Sequence, residues 1–154
     1  MNAPFFRLDL ISSLLMTGCP ADPSATESGP ENTEKDIAAL FDRWNQSLQT
    51  GDPEKVVDNY ADASILLPTA SNKPRLTRAE KVDYFEHFLQ DQPSGEINLR
   101  RIDMDHNMAV DSGLYTFRFA KTGAEIRARY SFTYRWDGHQ WLIISHHSSA
   151  MPEK

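Results

Sequence analysis

The sequence predicts an α+β fold, in which three N-terminal helices precede a curved, mainly antiparallel sheet. Between residues 33 and 92, apolar residues recur at helical spacing behind capping signals. After residue 95 the chain changes to long segments rich in aromatic and β-branched residues, separated by short turn signals. Helices followed by consecutive strands are typical of the α+β class.

Three helices are predicted before the sheet. Thr33 is a candidate N-cap for a first helix with apolar residues at helical spacing, and Gly51 ends that helix. An Asp-Pro pair at residues 52–53 fits the N-cap and first turn of a short second helix that reaches about Tyr60. The Thr-Arg-Ala-Glu sequence at residues 77–80 is a capping box and opens the third helix.

Strands are predicted from aromatic and β-branched segments between turn signals. Their expected positions are residues 63–67, 96–103, 108–120, 125–136 and 140–149. Lys121-Thr122-Gly123 and Asp137-Gly138 have the composition of hairpin turns. The last three strands are therefore expected to form a meander.

Composition is that of one globular domain and argues against nucleic acid as a partner. The chain has 154 residues, of which 40 % are hydrophobic and 25 % charged, enough for one domain with a substantial core. The formal net charge is −6, but residues 22–36 alone hold five acidic residues and one basic residue. The rest of the chain is near neutral and has no basic stripe, so it lacks the electrostatic signature of nucleic-acid binding.

The N-terminal residues are interpreted as an export segment and a linker. A short apolar stretch leads into Leu14-Leu15-Met16-Thr17-Gly18-Cys19, which resembles the processing site of a bacterial lipoprotein. We predict a signal or lipoprotein segment at 1–19, a disordered linker at 20–32 and one domain at 33–154. The protein would be periplasmic or exported, with a membrane link only through a lipid on Cys19. The alternatives are an unstructured start or a wrongly chosen start codon, and a cytoplasmic location.

The order of elements resembles the cone-shaped α+β barrel of ketosteroid isomerase and the polyketide cyclases, whose curved sheet leaves a pocket at its open end. Segments similar to the association (hub) domain of calcium/calmodulin-dependent protein kinase II are Thr50-Gly51-Asp52-Pro53, Tyr84-Phe85-Glu86-His87-Phe88-Leu89, Arg135-Trp136-Asp137-Gly138 and residues 141–152. The ending His146-His147-Ser148-Ser149 resembles the His-His-Ser-Ser ending of the iota-class carbonic anhydrases, stand-alone domains that share the hub fold. The resemblance implies a lyase of this class, a homodimer that hydrates carbon dioxide reversibly to bicarbonate.

The last predicted strand carries polar residues expected to line the pocket. Alternation along a strand places Ser145, His147 and Ser149 on one face, and His146 and Ser148 on the other. The resemblance implies catalytic roles for His147 and Ser149, with His147 accepting or relaying a proton, and a substrate-binding role for Ser145. Two alternatives stay open: the opposite strand phase, in which His146 replaces His147, and a purely structural polar network.

Residues outside the last strand complete the expected site. In the iota class a threonine and a tyrosine also surround the substrate, and Thr69 and Tyr84 match those positions here, which implies catalytic roles for both. The alternatives are a turn residue for Thr69 and a core aromatic with its hydroxyl at the rim for Tyr84. Arg129 is assigned to substrate binding if its strand face lines the pocket; otherwise it belongs to a solvated outer face.

Histidine spacing disfavours a metal centre. A zinc hydratase needs three protein ligands and an open position, whereas the adjacent His146 and His147 point to opposite strand faces. The iota-class pattern has a third histidine before this pair, and that position is Ser145 here. No metal cofactor is expected, with zinc or manganese as the alternative.

Two other function classes stay open: a module that binds a small carboxylate without turnover, and an oligomerisation domain. Tyr130, Phe132, Tyr134 and Trp136 favour association if they lie on the outer face of the sheet. Strand alternation places them opposite Arg129, so both sets cannot be outside without a bulge.

Overall fold

The computed structural model describes residues 33–69 and 71–152. The predicted signal segment, Cys19 and the linker lie outside the described residues. The helices are α1 (Glu34–Leu48), α2 (Pro53–Val57) and α3 (Arg78–Phe88), and a 3₁₀ turn follows at Leu89–Asp91. The strands are β1 (Tyr60–Leu67), β2 (Pro93–Asp105), β3 (Met108–Phe119), β4 (Glu125–Trp136) and β5 (Trp141–Ala150). Within this part of the chain, no helix has the length and apolarity needed to cross a membrane.

The capping box predicted at the start of α3 forms, and the predicted N-cap Thr33 is also part of one. The Thr33 hydroxyl accepts the backbone N–H of Asp36, whose carboxylate accepts the backbone N–H of Thr33 at 2.8 Å. Thr77 and Glu80 repeat this arrangement at the start of α3. These reciprocal bonds satisfy amide groups that a helix leaves unpaired at its first turn. Helix α2 is shorter than predicted, because β1 begins at Tyr60.

The sheet has five strands in the order β1-β5-β4-β3-β2. Strands β2 to β5 form a continuous antiparallel meander, whereas β1 pairs with β5 in parallel. The predicted α+β fold with a curved sheet is confirmed. Its topology places the chain segment after β1 beside the end of β5, where the polar ending lies.

Helix α1 covers the inner face of the sheet and forms an aromatic core with it. Phe41 and Trp44 lie against Phe132, with ring centroids 6.1 and 5.4 Å away. The β4 residues Tyr130 and Tyr134 point the same way and are also buried. The alternative in which an aromatic stripe on β4 lies on the outer face is therefore excluded for these three rings, which supply apolar surface that α1 packs against.

A bulge in β2 bends the sheet. Ile97 pairs with Tyr115, while Leu99 pairs with Leu114, so β2 holds one extra residue at this point. Opposite the bulge, a Cβ on Gly113 would lie 1.9 Å from the Leu99 carbonyl oxygen. Only glycine fits such a close backbone approach, which lets the two strands curl around the core.

A second bulge lies in β5 and changes which side chains face inward. Tyr134 pairs with Ile143 and Thr133 pairs with Ser145, so Ile144 is the extra residue. Ile143 before the bulge and His146 after it are both buried. The inner set therefore changes from odd-numbered to even-numbered residues within one strand.

Candidate functional site

A cavity of about 620 Å³ opens between α3, the segment after β1 and the inner face of β3 to β5. Its apolar wall consists mainly of aromatic rings: Trp44, Phe85, Phe88, Phe117 and Phe119, together with Ile126. Its polar lining comes from ten residues: Thr69, Ser71, Arg75, Tyr84, His87, Asp91, Tyr115, Thr122, His146 and Ser148. The cavity thus combines a small polar cluster with a large apolar surface, as ligand sites commonly do.

Ser148 is the centre of the polar cluster. Its Oγ accepts a hydrogen bond from the Tyr115 hydroxyl at 2.5 Å and shares a hydrogen with Thr69 Oγ1, also at 2.5 Å. Tyr115 is buried, and burial raises the pKa of its phenol, so the group stays protonated and keeps donating. Thr69 is exposed. Three hydroxyls therefore form a chain from the core to solvent.

The buried His146 ring lines the same cavity as this cluster. It stacks on Phe132 with ring centroids 4.0 Å apart, and its Nδ1 is 2.8 Å from the Tyr60 hydroxyl. Its Nε2 is buried and has no hydrogen-bond partner in the described part of the protein. Burial, and to a smaller extent the charge of His147, lowers the pKa of His146 to about 3. The ring is therefore neutral at ordinary pH.

Arg75 brings a positive charge to the cavity. Two backbone hydrogen bonds hold Arg75 beside the end of β1: its N–H donates to the Leu66 carbonyl at 2.9 Å, and the Leu66 N–H donates to the Arg75 carbonyl at 3.0 Å. Its Nη1 donates to Asp83 Oδ2 at 2.7 Å, and the guanidinium lies 5.7 Å from the centroid of the Tyr84 ring. Its Nε is buried without a partner among the described residues. An anionic ligand in the cavity would pair with this guanidinium beside Asp83, whose carboxylate already offsets part of its charge.

Tyr84 adds a fourth hydroxyl to the lining. It lies on α3 one residue before Phe85, and its ring packs edge-on against the Phe85 ring at 5.2 Å. Burial raises the pKa of Tyr84 to about 12. This phenol is therefore a neutral donor rather than a base at ordinary pH.

The structure brings together only part of the predicted site. Thr69 and Tyr84 line the cavity, as expected. The expectation that Ser145, His147 and Ser149 line it is wrong, because the bulge at Ile144 turns them outward.

These side chains lie on the outer face of the sheet, where β5 pairs with β4. Ser149 pairs with Arg129 and His147 pairs with Ser131. Arg129 does not reach the cavity either: it is exposed, and its Nη2 donates to the Ala150 carbonyl at 3.4 Å. The alternative strand phase, with His146 and Ser148 inside, matches the structure.

Three residues of the site were missed by sequence reasoning. Tyr115 was grouped only with its strand, although its place on the inner face follows from alternation with the buried Phe117. Arg75 lies in a loop and carried no periodic signal. Tyr60 was assigned to the end of a helix, whereas it begins β1 and points at His146.

The donors at this cavity do not suit zinc or manganese. Within residues 33–69 and 71–152, no three His, Cys, Asp or Glu side chains are grouped closely enough to hold an ion. The cavity lining offers hydroxyls, a guanidinium, the carboxylate of Asp91 and the imidazoles of His87 and His146, and Nδ1 of each ring is already hydrogen-bonded. Zinc hydratase centres use three imidazole, thiolate or carboxylate ligands, so no step is assigned to a metal.

Comparison with known proteins gives one family and many structural relatives. Residues 33–152 match the model of the calcium/calmodulin dependent protein kinase II association domain. A Xanthomonas campestris structure assigned to the same domain is 48 % identical, with a TM-score of 0.76 over 82 % of this chain and 94 % of that one. The search of curated proteins finds no match.

More distant structures share the fold. An NTF2-like protein of unknown function from Pseudomonas putida KT2440 is 19 % identical, with a TM-score of 0.68 over 78 % of this chain and 87 % of that one. A protein from Streptomyces avermitilis, assigned as a dehydratase of the NTF2-like family, is 11 % identical, with a TM-score of 0.68 over 77 % and 96 %. At these identities the likeness concerns the fold alone, and this fold hosts enzymes as well as proteins of unknown function.

Proposed function

This chain belongs to the calcium/calmodulin-dependent protein kinase II association-domain family, and we propose that it uses the hub-type cavity as a carbonic anhydrase of the iota type. The reaction is the reversible hydration of carbon dioxide to bicarbonate. The observation that carries the proposal is the hydroxyl chain Tyr115–Ser148–Thr69, which runs from the core to solvent within one cavity. The His-His-Ser-Ser ending supplies its central residue.

The aromatic wall suits carbon dioxide, which is apolar and carries no charge. Trp44, Phe85 and Phe117 border the polar cluster. Carbon dioxide on these rings would lie beside a water held by the hydroxyls of Ser148 and Thr69. Holding both reactants in one orientation lowers the entropic part of the barrier.

The chemical step transfers one proton. The water oxygen forms the new C–O bond, and an electron pair of one C=O bond moves onto its oxygen. The released proton leaves along Ser148 and Thr69 to a buffer base in solvent, since Thr69 is exposed. His146 is not the base in this scheme, because its pKa of about 3 makes it a poor proton acceptor at neutral pH.

Two residues of the cavity lining can stabilise the charge that develops in this step. Arg75 has an unpaired Nε, and Tyr84 keeps its proton because burial raises its pKa to about 12. Donors that are in place before reaction stabilise a developing oxyanion without reorganisation. They also bind the product bicarbonate.

The test is carbon dioxide hydration by metal-stripped protein in a stopped-flow assay. Ser148→Ala removes the hydroxyl that holds the water and relays its proton, so it should lower the rate about 100-fold, within the range for loss of a positioned proton-transfer group. Ser149→Ala makes the same chemical change on the outer face and should be silent. The reverse pattern would overturn the assignment of the cavity face, and absence of hydration with and without zinc or manganese would overturn the proposed reaction.

A second candidate is a binding module for a small carboxylate, without turnover. It is favoured by the unpaired Nε of Arg75 and by the size of the cavity, about 620 Å³, which is far larger than bicarbonate needs. The aromatic wall would then hold an apolar body attached to the carboxylate. Binding of acetate or a longer carboxylate by a protein that does not hydrate carbon dioxide would select this candidate.

We further propose a homodimer built on the outer face of the sheet. The family is named for association, and Leu99 and Val110 on that face are 60 % and 36 % exposed. Ser131 and His147, which pair between β4 and β5, lie on the same face. Export and a lipid on Cys19 remain proposals, which the sequence of residues 1–19 supports.

A further inference from the structure

Three buried aromatic residues form a hydrogen-bonded chain beneath the cavity. Trp44 Nε1 donates to the Tyr60 hydroxyl oxygen at 3.2 Å, and that hydroxyl is 2.8 Å from Nδ1 of His146. The three residues are 1 %, 5 % and 4 % exposed, respectively. Water therefore has little access to this chain, and its hydrogens must be shared among its own members.

The direction of the chain follows from the donors available. An indole N–H can only donate, so the Tyr60 oxygen is an acceptor towards Trp44. The hydrogen of the Tyr60 hydroxyl then needs an acceptor of its own, and Nδ1 of His146 is within reach. Nδ1 accepts only when it carries no proton, and in a neutral ring the proton then lies on Nε2.

Counting unsatisfied groups favours the same tautomer. With the proton on Nε2, the Tyr60 hydrogen is bonded, and one donor of His146 lacks a partner among the described residues. With the proton on Nδ1, both the Tyr60 hydrogen and the Nε2 lone pair would be left unpaired. A buried polar group without a partner is destabilising, so the second arrangement, which has one more such group, is less stable.

The ring also cannot turn freely. Phe132 stacks on it at 4.0 Å, and Trp44 contacts it edge-on at 5.3 Å. A flip that exchanged the two ring nitrogens would break the bond to Tyr60 inside a packed core. The position of Nε2 is therefore fixed together with its proton.

We infer that Tyr60, itself oriented by Trp44, is a positioning residue that locks His146 in the Nε2-protonated form as a permanent hydrogen-bond donor to an anion in the cavity. The anionic ligand, bicarbonate or another small carboxylate, is the part that rests on the proposed function. Nε2 is the buried donor of this ring that is left unpaired, and His146 lines the cavity. An oxyanion oxygen would satisfy it.

The first experiment reads the tautomer in the wild-type protein. Two-bond ¹⁵N–¹H correlation spectra of protein with ¹⁵N-labelled histidine distinguish the protonated from the bare ring nitrogen, and His146→Asn assigns the signal among the five histidines. We expect the pattern of a neutral ring protonated at Nε2. A pattern protonated at Nδ1 would overturn the inference without any variant having to fold.

The second experiment removes the hydrogen bond between the Tyr60 hydroxyl and His146 Nδ1. Tyr60→Phe deletes one hydroxyl and should shift His146 towards the Nδ1-protonated form, weakening bicarbonate binding about tenfold, since a hydrogen bond to a charged group contributes about that factor or more. Tyr134→Phe is the matched control: its hydroxyl is equally buried but has no partner in the described part of the chain. It should change neither the tautomer nor the binding.

Titration with sodium bicarbonate and with sodium acetate separates this inference from the proposed reaction. A shift of the His146 Nε2 signal by either anion, in a protein that does not hydrate carbon dioxide, would support the donor role and refute the enzyme. Hydration activity with no response of Nε2 to either anion would refute the donor role alone. Equal binding by the wild type and Tyr60→Phe would also overturn the inference.

Discussion

Mild acid should destabilise this protein through His146. Burial holds the pKa of the folded ring at about 3, whereas an unfolded histidine titrates near ~6.5. As the pH falls below that ordinary value, the unfolded chain binds a proton that the folded chain rejects. The stabilising contribution is therefore complete above the unfolded pKa and is lost progressively as the pH falls towards the folded one.

The size of the effect follows from these two pKa values. Each pH unit within the window costs up to ~1.4 kcal/mol of the free energy of unfolding. Between pH 7 and pH 5 the expected loss from this single ring is about 2 kcal/mol. The exposed Glu80, with its pKa lowered to about 2 by Lys73 and by backbone N–H groups, titrates below this interval.

Urea denaturation at several pH values between 7 and 5 measures this slope. His146→Asn keeps an acceptor for Tyr60 but cannot be protonated, so its slope should be shallower than that of the wild type by about 1 kcal/mol per pH unit. Parallel profiles for the wild type and His146→Asn would refute the neutral buried ring.

Three further predictions concern the bend, the N-terminal segment and the dimer. Gly113→Ala, which drives a Cβ into the Leu99 carbonyl, should lower the free energy of unfolding by more than ~3 kcal/mol, measured by urea denaturation. Gly51→Ala, at positive φ in open space, should lower it by about 1 kcal/mol. Equal losses would contradict the close approach of the two backbones at Gly113. Removing residues 1–32 should leave the melting temperature unchanged, and a drop of more than a few degrees would mean that this segment packs on the domain. Sedimentation at micromolar concentration should show a dimer. Leu99→Glu should dissociate this dimer, whereas Leu76→Glu, at a similarly exposed loop position, should leave it intact. A monomeric wild type would refute the proposed interface.

The helix starts and the fold class could be predicted because their signals are local. Thr33 and Thr77 each lie three residues before an acidic residue that completes a capping box. The change from helical spacing to long β-rich segments gave the α+β order directly. The end of α2 was less certain from sequence, since Tyr60 fits a helical spacing but pairs with Ile143 in the sheet.

The cavity face could not be predicted, because a bulge of one residue leaves no clear mark in the sequence. Regular alternation from Trp141 and Ile143 would have placed Ser145, His147 and Ser149 inside. The extra residue Ile144 reverses this, and only the pairing with β4 reveals it. Thr69 and Tyr84 could be placed at the cavity from the sequence because motif resemblance does not depend on strand phase; their catalytic roles stay a prediction.

The bulge at Ile144 also determines what a length change in this strand would do. Deleting Ile144 would restore an unbroken alternation and leave His146 and Ser148 inside, because Ser145 would keep its pairing with Thr133. A strand that kept Ile144 but lost the bulge would instead turn His147 inward in place of His146, without a single substitution. Relatives that share the same four-letter ending can therefore present different chemistry, and an alignment of this family is only as informative as its placement of one gap.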